Sequence, residues 1–277
     1  MTNDPEDNIT GKVEDWWNTQ IIDMKPGEIR YRGYAVEELI GNVSFAEMIW
    51  LMMRGELPTR GQAELLEIAL TAAVDHGPQA PGIAIARMAA TCGVGLNNAL
   101  ASGINALGDV HGGAGEQAVN FYDSILSAMN NEDDLEFTVE RALDAFFTSG
   151  AKYIPGFGHR FHPTDPRAPR LLELVDLATS AGHVTGEYAA IGRALETVLE
   201  RLKGRRIPMN IDGATAVIYA ELGFPAPLAR GLFCLSRSVG ILAHAWEQTQ
   251  QGGRNKGPVP RDMTWTYTGH APRKIAD

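Results

Sequence analysis

The chain has 277 residues, of which 44% are hydrophobic and 21% charged, with a formal net charge of −10. That composition belongs to an ordinary globular protein with material for a large core, in one domain or two. The acidic balance excludes nucleic acid as a main partner and attachment to an anionic lipid surface, because both need a basic face.

Met1 to Thr10 is polar and acidic, without the basic and apolar regions of a signal peptide, so a cytoplasmic protein is expected. Cys92 and Cys234 lie in apolar runs and are expected as buried thiols of a reducing compartment. Residues 1 to about 20 read as a loose arm up to Trp16-Trp17. Glu28 to Tyr34 alternates and reaches Gly33, as a short strand or hairpin arm would. Ser44 with Glu47 is a capping box opening a helix that stops at Gly55 and Pro58. A second helix is expected from about Gln62 to Val74, with Leu65, Leu66, Ala69 and Leu70 at helical spacing.

Asp75-His76-Gly77-Pro78 then breaks the pattern, and its histidine is either a polar cap or a functional group. Residues 81–107 are rich in alanine, glycine and other small residues, with Arg87 their only charge. They suit one or two buried helices packed backbone-close. Asn97, Asn98, Ser102 and Asn105 interrupt them too often for a bilayer span. Gly108 to Glu116 contains His111-Gly112-Gly113, a pattern that supplies oxyanion donors in esterases. No serine has glycine two positions before it, so the nucleophile elbow is absent. The glycines also fit neither the dinucleotide fingerprint nor the nucleotide phosphate loop.

Helices are expected at about 117–128 and 134–147, separated by an acidic turn at 130–134. Gly156 to Arg170 is the richest stretch chemically. Gly156 and Gly158 let the backbone approach a ligand, His159 and His162 can move protons, and Arg160, Arg167 and Arg170 can hold carboxylates or phosphates. A basic, proline-rich surface loop is the plainer reading. His159 and His162 form the only close histidine pair, and Pro163 breaks the helix their spacing would need, so no metal is expected. Further helices are expected at about 171–178 and 188–203. Asp212 stands between apolar neighbours at the start of another helix, where aspartate is usually an N-cap. Residues 224–246 are again apolar, with Arg237 inside them; a buried arginine needs an anionic partner from protein or ligand. From Gly252 the tail is basic and punctuated by prolines. The fold class is all-α, with hardly any sheet.

These loops, in this order, resemble the citrate synthase family. The matching signatures are His-Gly-Gly-Ala at 111–114, Gly-Phe-Gly-His-Arg at 156–160 with Asp165-Pro166-Arg167, and Asn210-Ile211-Asp212. Ser236-Arg237-Ser238, Tyr31-Arg32-Gly33-Tyr34 and Gly55-Glu56-Leu57-Pro58 agree too. Citrate synthases carry several further helices between that last segment and the histidine matched by His76; here one short helix fills the gap. This layout, and Asp75-His76-Gly77-Pro78, are similar to citryl-CoA lyases and the homologous region of ATP-citrate lyase.

The resemblance implies a large helical domain, 1–112 and 224–277, and a small one, 113–223, closing over a cleft. By the same resemblance Asp212 is the base at the acetyl-CoA methyl, His111 holds the thioester enolate, and His159 is the acid at the ketone. His76, Arg167 and Arg237 are oxaloacetate or citrate ligands, and Ile154, Gly156, Phe157, Gly158 and Asn210 border coenzyme A. Coenzyme A thioester is then a substrate, with no tightly bound cofactor. The partners implied are citryl-CoA, or acetyl-CoA plus oxaloacetate, and a second copy in a homodimer or higher homo-oligomer. Arg254, Lys256 and Arg261 are candidates for a carboxylate ligand reaching across that dimer. The expected activity is citryl-CoA lyase; a citrate or 2-methylcitrate synthase is the alternative, and a non-catalytic homologue that only binds coenzyme A or citrate is a third reading.

Overall fold

The computed structural model describes residues 17–129 and 134–275. Trp16 with the arm before it, and 130–133 of the acidic turn, lie outside the described residues. The described chain begins with a small antiparallel sheet of β1 (Ile22–Lys25), β2 (Glu28–Tyr31) and β3 (Tyr34–Ala35), in that order. β2 and β3 are the expected hairpin arm; β1 is an addition that sequence alternation did not reveal.

Eleven helices follow among the described residues. A single turn, α1 (Val36–Leu39), precedes α2 (Phe45–Arg54), whose Ser44 box forms in both directions: the Glu47 N–H donates to Ser44 Oγ at 3.2 Å and the Ser44 N–H to Glu47 Oε2 at 2.6 Å. The second box, Thr59 with Gln62, starts α3 (Arg60–Ala72) slightly earlier than periodicity suggests. Residues 81–107 form two helices, α4 (Pro81–Thr91) and α5 (Leu96–Asn105). Then come α6 (Ala114–Ala128), α7 (Leu135–Thr148), α8 (Arg167–Ser180) and α9 (Glu187–Lys203). The chain of helices ends with α10 (Ile211–Glu221) and α11 (Ala226–Gln250). α8 begins at Arg167 rather than near 171, because Pro166 and Pro169 fall at its N-cap and first turn, where no helical N–H is required.

One core joins α2 and α3 to α6–α11, with Trp50, Leu66, Tyr122, Leu195, Val217 and Phe224 among its residues. It runs through positions 113 and 223 without a break. A second, smaller core of Ile83, Ala86, Ala99, Ile241 and Ala245 lies between α4, α5 and α11. α10 is the inner helix: of its residues only Asp212 and Glu221 are not buried. A helix apolar on all sides suits only such a place.

The small residues of 81–107 act as expected. A Cβ on Gly103 would lie 2.7 Å from the Gly82 carbonyl oxygen and 2.7 Å from Ile241 Cγ2, so α4 and α5 meet backbone to backbone with the Ile241 side chain of α11 packed against them. α11 is long and apolar enough to cross a membrane, but Leu232, Phe233, Arg237, Ile241 and Ala245 turn one face into the protein. Its opposite face exposes Leu235, Val239, Leu242 and Trp246, a stripe at helical spacing. The cysteines correct an expectation. Cys92 is exposed, at the end of α4 where the chain leaves the helix, and Cys234 is only half-buried; both are free thiols.

Gly103→Ala is expected to destabilise the protein by about 1–3 kcal/mol, since the facing carbonyl cannot move aside. Urea unfolding of the two proteins measures this, and an unchanged midpoint would show that the helices can separate freely.

Candidate active site

The glycine loop and the start of α10 are clipped together. The Gly158 N–H donates to the Pro208 carbonyl at 2.7 Å, and the Asn210 N–H to the Gly156 carbonyl at 2.9 Å. Asn210 Nδ2 closes the clip on the Gly158 carbonyl at 2.6 Å. Gly156 has φ +84°, and a Cβ there would lie 2.6 Å from Gly213 Cα, so glycine is required on both counts. Asn210 Oδ1 accepts from the N–H groups of Asp212 and Gly213 at 2.9 and 3.2 Å, capping α10. The capping role expected of Asp212 thus belongs to Asn210, and the Asp212 carboxyl is free of it. Ile154 and Phe157, expected to border coenzyme A, have side chains buried in the core.

In the sequence Asp165 stands only within the signature Asp165-Pro166-Arg167, with no role of its own. It is 1% exposed and accepts from the Ile211 N–H at 3.0 Å, the Arg167 N–H at 3.1 Å, and Arg167 Nε and Nη2 at 2.9 Å each. One carboxylate therefore holds the first residues of both α8 and α10. Burial raises its pKa, but the hydrogen bonds and charge of Arg167 outweigh burial and leave it below the usual carboxylate range. This alters the expectation for Arg167. The Nε–Nη2 fork expected to grip a substrate is engaged by Asp165, which leaves the Nη1–Nη2 end for an anion.

Arg237 comes from the other side. It is 4% exposed, donates from Nε to the Ala73 carbonyl at 2.9 Å, and lies over the Phe233 ring at 4.7 Å. Its neighbours Ser236 and Gly240 bond the carbonyls of Leu70 and Val74, fastening α11 along the end of α3 and the turn that carries His76. Among the described residues neither Nη of Arg237 has a hydrogen-bond partner, and Asp212 and Asp75 supply the nearest stabilising charge. Asp212 keeps some accessible surface, yet its carboxyl is desolvated. Burial pushes its pKa above the usual range and Asp165 adds to this, against the opposing pull of Arg237, Arg167 and His159.

The histidines complete the cluster. The His76 and His159 rings lie 5.6 Å apart, and His162 stacks on His159 at 4.6 Å. His159 Nδ1 accepts from the N–H groups of Phe161 and His162, both at 3.1 Å, so the neutral ring carries its proton on Nε2. His111 Nε2 accepts from the Gly82 N–H at 3.3 Å, in the first turn of α4, which leaves the proton on Nδ1. Burial lowers the pKa of all three of His76, His111 and His159. The charge of Arg237 lowers it further at His76 and His111, and those of His162 and Arg167 at His159. All three are favoured as neutral rings that donate.

His76, His159, Arg167, Arg237 and Asp212 therefore share one electrostatic neighbourhood, which His111 enters through Arg237. The C-terminal candidates Arg254, Lys256 and Arg261 stand apart, all three exposed on the tail. A cavity of about 580 Å³ between α3 and α8 shares only Arg167 with the cluster and is otherwise lined by residues such as Ile68, Thr71 and Leu174. Cavity size alone would have pointed to the wrong place, since the proton-moving groups are not there. Asp165 was the main omission from sequence, and Asp165-Pro166-Arg167 was the available signal.

The chain matches the family model for the C-terminal domain of citrate synthase over residues 10–67 and 59–258. A solved structure of citryl-CoA lyase from Hydrogenobacter thermophilus is 33% identical, with a TM-score of 0.82, and the match covers 94% of this chain and 98% of that one. A citrate synthase from Thermoplasma acidophilum, solved with carboxymethyl coenzyme A and oxaloacetate, is 27% identical with a TM-score of 0.68, over 84% of this chain and 59% of that one. The curated citrate synthase of Synechocystis is 32% identical over 210 residues, 74% of this chain and 50% of that protein. The chain thus spans about half the length of the curated relatives it matches.

Asp165→Asn is expected to cost roughly 3 kcal/mol at neutral pH, because it leaves Arg167 without its counter-charge. The folded-state pKa of Asp165 is depressed, so its stabilising effect is present above the unfolded pKa and lost as pH falls through the folded one. Denaturant titrations of the two proteins should therefore converge on acidification; a constant gap down to strongly acid pH would refute the assignment.

Proposed function

Because the chain belongs to the citrate synthase family, we propose that it is a citryl-CoA lyase, cleaving citryl-CoA to acetyl-CoA and oxaloacetate through an enolate. The observation that carries this is the gathering of a desolvated carboxyl, Asp212, with Arg237, Arg167 and His159 around one place. The similarity to citryl-CoA lyase over nearly the whole of both chains favours cleavage over synthesis.

In the proposed reaction Arg237, Arg167 and His76 receive the carboxylates of the oxaloacetate half, which an acidic protein must attract with local cations. Carbon–carbon cleavage leaves its electron pair on the acetyl unit as a thioester enolate. His111 donates from Nδ1 to the enolate oxygen, with Nε2 held by the Gly82 N–H at a helix start that favours the neutral ring. Asp212, whose protonated form desolvation favours, delivers a proton to the enolate carbon. His159 donates from Nε2–H to the citryl hydroxyl oxygen and stabilises the charge that builds on it as the carbon–carbon bond breaks and the hydroxyl proton passes to solvent; in condensation the same donor faces the ketone oxygen. Burial, helped by the charges of His162 and Arg167, lowers the pKa of His159 and so favours the neutral ring that donates there.

A citrate or 2-methylcitrate synthase is the second reading, favoured by the curated citrate synthases among the relatives. The same three groups serve both directions, so their presence cannot separate the two. Further parts of the proposal are a cytoplasmic enzyme, coenzyme A as substrate rather than resident cofactor, and closure of 113–223 over the cleft to exclude water from the enolate. A homodimer through the exposed stripe of α11 also belongs to it.

The deciding assay offers citryl-CoA and, separately, acetyl-CoA with oxaloacetate. Acetyl-CoA and oxaloacetate from the first, with little free coenzyme A from the second, are expected; rapid release of coenzyme A and citrate from the second pair would make the protein a synthase. Asp212→Asn should lower the rate about 10²–10⁴-fold. Because the pKa of Asp212 is raised, cleavage, which uses its acid form, should slow as pH rises through that pKa, while any condensation should quicken over the same range. Profiles with the same slope in both directions would remove Asp212 from the proton transfer.

A further inference from the structure

Next to His76, through Asp75, runs a chain of polar groups that the proposed reaction does not use. Arg87 of α4 donates to His244 Nδ1 at 3.1 Å and to Gln248 Oε1 at 3.1 Å, both on α11. It also donates to Glu247 Oε2 at 2.8 Å and Gln251 Oε1 at 3.0 Å. His244 Nε2 lies 3.2 Å from Asp75 Oδ1. Asp75 Oδ2 accepts from the Gly77 N–H at 3.1 Å, and its carboxyl also takes the His76 N–H.

The direction of this chain follows from chemistry. An arginine has no acceptor, so the nitrogen of His244 that faces Arg87 must hold a lone pair. The ring proton is then on Nε2, and it points at Asp75. Asp75 in turn binds the backbone on both sides of the His76 Cα. The residues that face His244 are Arg87 from α4, Asp75 from the turn and Glu247 from its own helix. α11 also approaches the turn directly: the Gly240 N–H donates to the Val74 carbonyl at 3.1 Å, and a Cβ on Gly240 would lie 2.9 Å from Asp75 Oδ1. Nothing larger than glycine fits there.

We propose that His244 is a positioning residue: with Nδ1 held by Arg87, it presents Nε2–H to Asp75, and Asp75 thereby fixes the backbone that places His76 beside His159. This rests on the reading of the cluster as a site for a dicarboxylate. A ring that must donate to a carboxylate is useful only if its orientation is fixed before the ligand arrives, and hydrogen bonds from behind are the usual means. His76 lies in the turn after α3, where Arg237 and Gly240 hold the carbonyls of Ala73 and Val74, and Asp75 with His244 holds the residues next to the ring.

The test uses the full chain with His244→Leu, which removes both ring nitrogens, and His244→Gln, which keeps a donor toward Asp75. Oxaloacetate and coenzyme A binding are measured separately by calorimetry. The leucine variant is expected to bind oxaloacetate about tenfold more weakly and coenzyme A within about twofold of the parent, with glutamine restoring most of the difference. In a double variant with Asp75→Asn the two effects should not add, as for residues acting through one network. Parallel loss of both ligands, or unchanged oxaloacetate binding, overturns the proposal. Nitrogen-15 spectra of the histidines in the ligand-free protein give a reading that does not depend on function: His244 should carry its proton on Nε2, and the His76 signals should move in the leucine variant but not in the glutamine one. A proton on Nδ1 of His244, or unmoved His76 signals, overturns it as well. If the parent binds neither ligand, the proposed function fails, and the spectra alone decide the role of His244.

Discussion

The Asp165 carboxylate is the constraint on which the site depends. It is buried, and it is tolerable there only because four donors converge on it, two from the side chain and one from the backbone of Arg167 and one from the backbone of Ile211. Those donors belong to the first residues of α8 and α10. Both helices are thereby aimed from a common point, and Asp212, one residue beyond Ile211, is delivered to the same point. Burial there makes the Asp212 carboxyl resist ionisation, and the charge of Asp165 adds to it, which is the property the proposed chemistry asks of it.

The histidines are governed by a complementary rule. His111 and His159 each have one ring nitrogen occupied by backbone N–H groups, from the start of α4 and from the residues following His159 itself. A nitrogen that accepts a hydrogen bond cannot carry the proton, so the other must. Each ring is fixed as a neutral donor without any charged partner of its own. In a cleft already holding Arg167 and Arg237, a third or fourth positive charge would be costly, and fixed neutral rings avoid it.

Around this, the helices are held by close backbone approach more than by large side chains. Gly82, Gly103 and Gly240 each lie against a carbonyl oxygen of a neighbouring segment. α11 gains most from this: it touches the turn carrying His76, presents Arg237 to the cleft, and lies against α4 and α5 in the smaller core. Its outer stripe of Leu235, Val239, Leu242 and Trp246 remains as apolar surface of the single chain.

Much of this was legible in the sequence, for identifiable reasons. Helix starts with local signals, such as Ser44-Glu47, were readable because a capping box is made within one turn. The glycine loop, His111, Asp212 and Arg237 could be picked out because each is a reactive or charged type set among small or apolar residues, and the family signatures fixed their order. What the sequence left open were relations across distance. Asp212 reads as an N-cap until Asn210 is seen to bond the same N–H groups. Arg167 reads as a free guanidinium until Asp165 is seen to engage one side of it, and the burial of the Ile154 and Phe157 side chains shows only in the fold. Tautomers were beyond it too, since the proton position on His159, His111 and His244 is set by donors that only folding brings up. Local hydrogen bonds are written in adjacent residues; which nitrogen holds a proton, and which charge faces which, depends on segments far apart in the chain, and only the tertiary structure decides it.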